Sequence, residues 1–367
     1  MITRRSILRL PLFGAALAPL ACTRPGAGGF RGYAFVANEE GQAIAALDLE
    51  AMALIKHVPL DSNPSQVLSV TGRNFVYPFS AKNGTLYELD PGRLTIARKV
   101  TVAPSATQAE TAPSGKYVFV LSSDLHAISL DSMTSAWKMP LPEASHDFHV
   151  APGERYAAIS SRDGVSLIDL ESRKLTPVAQ GADFGQVKFL GDGKTLIVAD
   201  RAEHRLTMYD VASRQIITHL PLALRPDQLC FNQDGGQLFV TGEGKDAVVV
   251  IYPYHTPEVG ETVLAGHAPG PMGVSSSMLL VASPSTGDVS IVNIATRKVI
   301  AVVPVGSDPG AIVVTPDDQY ALVLNRKSGD VAVIRLGTIA PNRYKSAGLL
   351  TVIPVGSKPV SAVVKAA

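Results

Sequence analysis

Apolar and polar positions in this chain follow one phrase that keeps returning. A short apolar run opens it: YAFVAN (33–38), FVYPFS (75–80), YVFVLS (117–122), YAAISS (156–161), TLIVAD (195–200), QLFVTG (237–242), MLLVAS (278–283) and YALVLN (320–325). Successive starts lie 39 to 42 residues apart. After each run comes a turn rich in Gly, Asp or Asn, such as Asn83-Gly84 or Ser328-Gly329-Asp330. A second strand then alternates, as in GVSLIDL (164–170) and DVSIVNI (288–294). A third follows, as in KVIAVVPV (298–305), then a Gly- or Pro-containing loop and a fourth apolar strand such as AIVVTP (311–316). A closing turn, PSGK (113–116) or GDGK (191–194), leads to the next opening run. Alternation at period two marks strands that bury one face, and the turn dipeptides tolerate the positive φ of tight hairpins.

No helical periodicity is sustained past the N-terminal leader, so the chain reads as all-β. Short strands in a repeat of about 40 residues predict a β-propeller of four-stranded blades rather than a sandwich. The eight opening runs predict eight blades, with seven as the alternative count. The last phrase, IPVGSKPVSAVVKAA (353–367), supplies a loop and a fourth strand with no opening strand after it. The missing partner is at the other end. The strand around Val360–Val364 is expected to pair with that around Tyr33–Val36, so one blade is built from both termini and the ring closes.

Units such as SPSTGDVSIVNIATRKVIAVVPVGSDPGAIVVTPDDQYALVLN resemble the YVTN-type β-propeller repeat, and the resemblance covers about residues 30–367. It implies the same propeller fold. Lactonase-type propellers with similar repeats hydrolyse sugar lactones at the channel mouth, but their catalytic residues find no one-to-one match in this sequence. A fold shared with enzymes does not carry an activity.

MITRRSILRLPLFGAALAPLAC reads as a secretory leader, with a positive head and a short apolar stretch. Thr3-Arg4-Arg5-Ser6-Ile7-Leu8-Arg9 resembles the twin-arginine export motif through Arg4 and Arg5. Leu20-Ala21-Cys22 resembles a lipoprotein processing box, with Pro19 where Leu is usual. The resemblance implies lipidation of Cys22; simple cleavage after Ala18 or Ala21 is the alternative. The expected organisation is a signal segment (1–22), a tether (23–30) and one propeller domain (31–367). The expected location is the periplasm, on the membrane through a lipid anchor.

The chain carries 33 basic and 32 acidic residues, net +1, which leaves no basic footprint for nucleic acid. It is expected to be a monomer. Of two cysteines, Cys22 lies in the leader, and Cys230 in LCFN reads as a small buried core residue. No nucleophile elbow, phosphate loop, zinc-protease motif or haem-attachment motif occurs.

In this repeat the loop before the fourth strand lies at the channel mouth. Its polar residues are therefore the candidate ligand contacts: Asn63, Gln66, Gln108, His146, Asp147, Asp183, Arg225, Asp227, Gln228, His267, Asp308 and Lys358. Arg225, Asp227, His267 and Asp308 could together form an acid–base or anion site. His146 and His149 have opposite strand parity, so they are poor co-ligands unless a bulge intervenes. Metal needs three or four convergent ligands, so no cofactor is expected, with a metal at the mouth as the lesser alternative. The remaining histidines, His57, His126, His204, His219 and His255, read as surface residues. The reading of function is a binding or scaffold propeller for a protein, glycan or small ligand at the mouth. The alternative is a lactonase-like hydrolase or an oxidoreductase subunit.

Overall fold

A computed structural model of the protein describes residues 29–339 and 348–367. The leader, with Arg4, Arg5 and Cys22, lies outside the described residues. Among the described residues no helix is long and apolar enough to cross a membrane.

Eight antiparallel four-stranded sheets form the blades. The innermost strands of blades 2 to 8 are Gln66–Ser69, Gln108–Thr111, Ser145–Val150, Phe184–Phe189, Arg225–Phe231, Met272–Val274 and Pro309–Val314. The fourth strand of each repeat becomes the inner strand of the next blade, as the loop spacing predicts. Apart from strands and turns the described chain has a single 3₁₀ turn, Leu336–Thr338.

Blade 1 closes the ring. Its inner strand is the C-terminal Pro359–Ala366, paired antiparallel with Gly32–Asn38 through Ala34↔Val364, Phe35↔Val363 and Val36↔Ala362. This is the predicted clasp. Two side chains carry it on to blade 2. The Lys365 ammonium donates to the carbonyls of Arg73 and Phe75, and Val67 N–H donates to Ser361 Oγ at 3.1 Å.

The core is shared between neighbours. Each of the eight blade interfaces holds its own apolar cluster; the one between blades 8 and 1 gathers Leu322, Leu324, Val331 and Val333 with Ala34, Val36, Ala45 and Leu47. Burying one such aliphatic side chain is worth about 1.5–3 kcal/mol, so stability lives in the contacts between blades.

The repeat phrase also places polar groups. The last residue of the opening strand is buried in most blades: Asn38, Ser80, Ser122, Ser161, Asp200, Ser283 and Asn325. Asn325 Nδ2 donates to Val305 O at 3.2 Å and to Asp330 Oδ1 at 2.7 Å, and Asn38 Nδ2 donates to Val355 O. Val305 and Val355 precede Gly in the two VGS phrases, so this amide ties each mouth loop to its blade. Asn325→Ala should cost about 1–3 kcal/mol by orphaning a buried carbonyl, read as a shifted urea midpoint at constant m. An unchanged midpoint would refute that role.

Glycine is less needed at the turns than the sequence suggests. Outer hairpins place Met52, Leu94, Met133, Arg173, Arg214 and Arg297 at positive φ. An Asp or Asn at the preceding strand end holds several of them. Asp90 Oδ1, for example, accepts from Gly92 N at 2.9 Å and Arg93 N at 3.1 Å.

Candidate functional site

Asn63, Asp183, Arg225, Asp227, His267, Asp308 and Lys358 do sit at or beside the mouth loops, but most are spent on neighbours. Arg225 bridges Asp183 at 2.5 Å and Glu243 at 2.6 Å, while Arg201 reaches Asp227 at 3.6 Å. The Arg225 guanidinium holds the Asp183 carboxyl below its ordinary range. Asp308 pairs with Arg326 at 2.6 Å and Lys358 with Glu39 at 2.7 Å. His267 Nδ1 lies 3.0 Å from Asp246 Oδ2 on the exposed rim, and that carboxylate raises the pKa of its imidazole. Asn63 Nδ2 donates to Glu39 O at 2.8 Å. Arg225 and Asp227 are linked through Asp183 and Arg201, and Asp227 shares a cleft with His267, while Asp308 lies apart with Arg326, so the four do not converge on one point. Three clefts open along this rim. One, of about 670 Å³, is bordered by Asp308, Arg326 and Lys358; a second, of about 550 Å³, by Gly287, Asp308 and Lys327; a third, of about 580 Å³, by Asp227, Asp246 and His267.

The histidine pair resolves through a bulge. The register slips between Ser145 and Asp147, leaving His146 as the extra residue. His146 Nε2 lies 2.8 Å from Phe184 O, so the ring is donor there, whereas His149 Nδ1 accepts from Phe189 N at 3.3 Å. They serve opposite ends of the next inner strand and do not converge. Among the described residues no three His, Cys, Asp or Glu side chains are grouped as a metal requires.

Two histidine and cysteine readings need correction. His126 is buried at 4% exposure, because its strand Asp124–Ser129 is covered on both faces by neighbouring blades. Burial pushes its pKa down. Cys230 is half-buried on an inner strand rather than enclosed in the core, and burial pushes its thiol up to about 11, so it is an inert thiol at neutral pH.

What the loops do not show lies one step further along the chain, on the inner strands. Each inner strand has a free edge whose N–H groups face the central channel. Side chains from the preceding blade cap them. Gln66 Oε1 accepts from Ala109 N at 2.7 Å, Gln108 Oε1 from Phe148 N at 3.2 Å, Asp147 Oδ2 from Val187 N at 2.8 Å and Gln186 Oε1 from Leu229 N at 2.8 Å. With Ser361 these form an upper ring of acceptors running from blade 1 to blade 5. Three of the mouth candidates, Gln66, Gln108 and Asp147, belong to it. Blades 7 and 8 carry Pro271 and Ala311 at that position, which offer no acceptor side chain.

Two residues deeper, a second ring divides more sharply. Blades 3 to 6 contribute Glu110, His149, Lys188 and Cys230, all half-buried. Blades 7, 8, 1 and 2 contribute Gly273, Val313, Val363 and Leu68, the last three packed against the interface clusters. The channel wall is therefore polar and ionisable on one arc and apolar on the other.

The polar arc has distinct electrostatics. Glu110 Oε1 accepts from Val150 N at 3.0 Å, yet burial raises its carboxyl to about 7. Burial also raises Asp147. Burial, with the Lys188 charge, depresses the His149 imidazole to about 3, so it is neutral. The Lys188 ammonium acts on all of Glu110, Asp147, His149 and Cys230, from blades 3, 4 and 6. It donates to no protein group among the described residues.

No family model and no curated protein matches the chain. Solved structures do. The fold is similar to that of dihydro-heme d1 dehydrogenase NirN in complex with DHE, at 14% identity and TM-score 0.75, over 90% of this chain and 75% of that one. It is similar to apo AztD from Citrobacter koseri at 12% identity and TM-score 0.69, over 91% and 98%. A functionally unknown protein from Desulfotomaculum acetoxidans aligns at 11% identity and TM-score 0.61, over 91% and 98%. At these identities the likeness establishes the β-propeller fold alone.

Proposed function

We propose that this chain is an exported propeller of YVTN-like repeats, anchored to the membrane through Cys22, that holds a small ligand in its central channel. The observation that carries the reading is the divided wall: Glu110, His149 and Lys188 on one arc, Leu68, Val313 and Val363 on the other. Binding sites combine apolar lining with a few placed polar groups, and this wall has that composition. The rim is a weaker candidate, because most of its charges, Lys245 and Lys327 apart, are already paired with one another. The similar structure of NirN in complex with DHE supports a propeller as a ligand holder, at the level of fold.

An enzymatic reading has one observation in its favour. A carboxyl titrating at about 7 is poised for proton transfer, and Glu110 is such a group. That similar protein, NirN, is a dehydrogenase. Against it, the one hydrogen bond of the Glu110 side chain among the described residues is that from Val150 N–H, and Cys230 is a neutral thiol.

Small molecules released on denaturing the protein, expressed from the full chain and purified from the membrane fraction, should separate the two. Wild type should release a compound that a channel-blocking Leu68→Trp variant lacks. A metal content or visible chromophore, or turnover of a lactone that Glu110→Gln abolishes, would replace the binding reading with the enzymatic one. Anchoring is tested separately: Cys22→Ala should move the protein from the membrane fraction to the soluble one, and unchanged fractionation would refute it.

A further inference from the structure

Two donors on the polar arc are unspent. Lys188 presents an ammonium with no hydrogen-bond or ion-pair partner among the described residues. His149 presents a second donor by elimination. Its Nδ1 accepts the Phe189 N–H at 3.3 Å, so in the neutral ring the proton sits on Nε2, which has no protein acceptor. These residues occupy equivalent positions on blades 4 and 5. Glu110 takes Val150 N–H with Oε1 and Asp147 takes Val187 N–H with Oδ2, and neither carboxyl meets Lys188 at hydrogen-bond or ion-pair distance. Neither donor meets a protein acceptor among the described residues, and what faces the arc across the channel is apolar.

We propose, building on the channel reading above, that the ligand is a small organic anion with an apolar body. Its carboxylate takes the Lys188 ammonium and the His149 Nε2–H, and its body lies against Leu68, Val313 and Val363. Charge-assisted bonds of this kind are about twice as strong as neutral ones. The interior of the channel is less polar than water, which strengthens the pairing further.

The site also carries a pH dependence. Glu110 faces the Val150 N–H and Asp147 on blade 4 and Lys188 on blade 5. Below about 7 its carboxyl is neutral and no longer offsets the charge of the ammonium. Above that it ionises and competes with the ligand for Lys188. Affinity for an anion therefore falls as pH rises from 6 to 8, and Glu110→Gln flattens much of that fall.

Calorimetric titration with octanoate, octanamide and octylamine tests the chemistry. Octanoate should bind at least tenfold more tightly than either of the others. Lys188→Met should abolish the preference, Lys188→Arg should keep most of it, and His149→Phe should weaken it several-fold. Unchanged melting curves would establish that these variants fold. Octanamide or octylamine binding as tightly as octanoate, with binding lost in Leu68→Trp, overturns the anion and leaves the channel standing. Octanoate preference surviving in folded Lys188→Met overturns the role of that residue and with it the proposal. Binding of none of the three also overturns the anion, and the channel then stands or falls with the released-molecule experiment.

Discussion

Deleting residues 357–367 should abolish cooperative unfolding. The deletion removes the inner strand of blade 1 and its whole ladder with Gly32–Asn38. Each ladder bond is worth about 0.5–1.5 kcal/mol net. It also takes Ala362 and the flanking Val363 and Val364 from two interface clusters, and the Lys365 and Ser361 bonds to blade 2. Together these losses approach the ~5–15 kcal/mol by which a domain is stable. The exposed edge of Gly32–Asn38 would then invite strand pairing between molecules. The expected readout is a broad or absent melting transition with aggregation. A sharp transition at the wild-type temperature would show that the ring does not depend on its clasp.

The second large effect is on acid stability. His149 is neutral in the folded protein with its pKa depressed to about 3, chiefly by burial and then by Lys188. In the unfolded chain it titrates near its usual value of about 6.5. Between those values the unfolded state binds a proton that the folded state does not, so stability is lost as pH falls from about 6.5 towards 3. The shift corresponds to a loss on the order of 3–5 kcal/mol. His149→Phe removes this dependence. At pH 7 the variant should be less stable by about 1 kcal/mol, because Phe189 N–H loses its acceptor. Near pH 4 the order should reverse. Denaturation curves that stay parallel across this range would contradict the burial of a neutral imidazole. Glu110 works in the other direction. Its raised pKa makes the folded state hold a proton that the unfolded chain releases, so stability declines as pH rises from about 4.5 to 7.

The fold was legible because its signal is local and repeated. YAAISS, TLIVAD, MLLVAS and YALVLN are strands with the bounds the phrase gives them, and the orphan phrase at 353–367 identified the clasp. Each strand needs only its own alternation and a neighbour two turns away. The site was less legible, because it is a relation between residues about 40 positions apart. Reading polar residues in the mouth loops found Gln66, Gln108 and Asp147, which cap the next inner strand. It also collected Asp183, Arg225 and Asp308, whose charges are consumed at the rim. Glu110 and Lys188 were passed over because they sit inside strands rather than loops. The signal for them was present: QAET and QVKF place a charge mid-strand where sister strands carry Leu68 or Val313. An ionisable residue in a fourth strand, aligned across all repeats, marks the channel wall better than a polar loop does. His126 shows the converse, since a strand covered on both faces buries its histidine whatever its sequence context.

The ligand site proposed for this protein is the divided channel wall and not the rim. Methyl-resolved NMR of the protein, titrated with a small-molecule extract of the cells that produce it, tests this most directly. The predicted result is that the methyl signals of Leu68, Val313 and Val363 shift together, while those of Ala268 and Val305, which line the rim clefts, stay in place. Shifts at Ala268 and Val305 alone, or at no methyl of the channel, would contradict it.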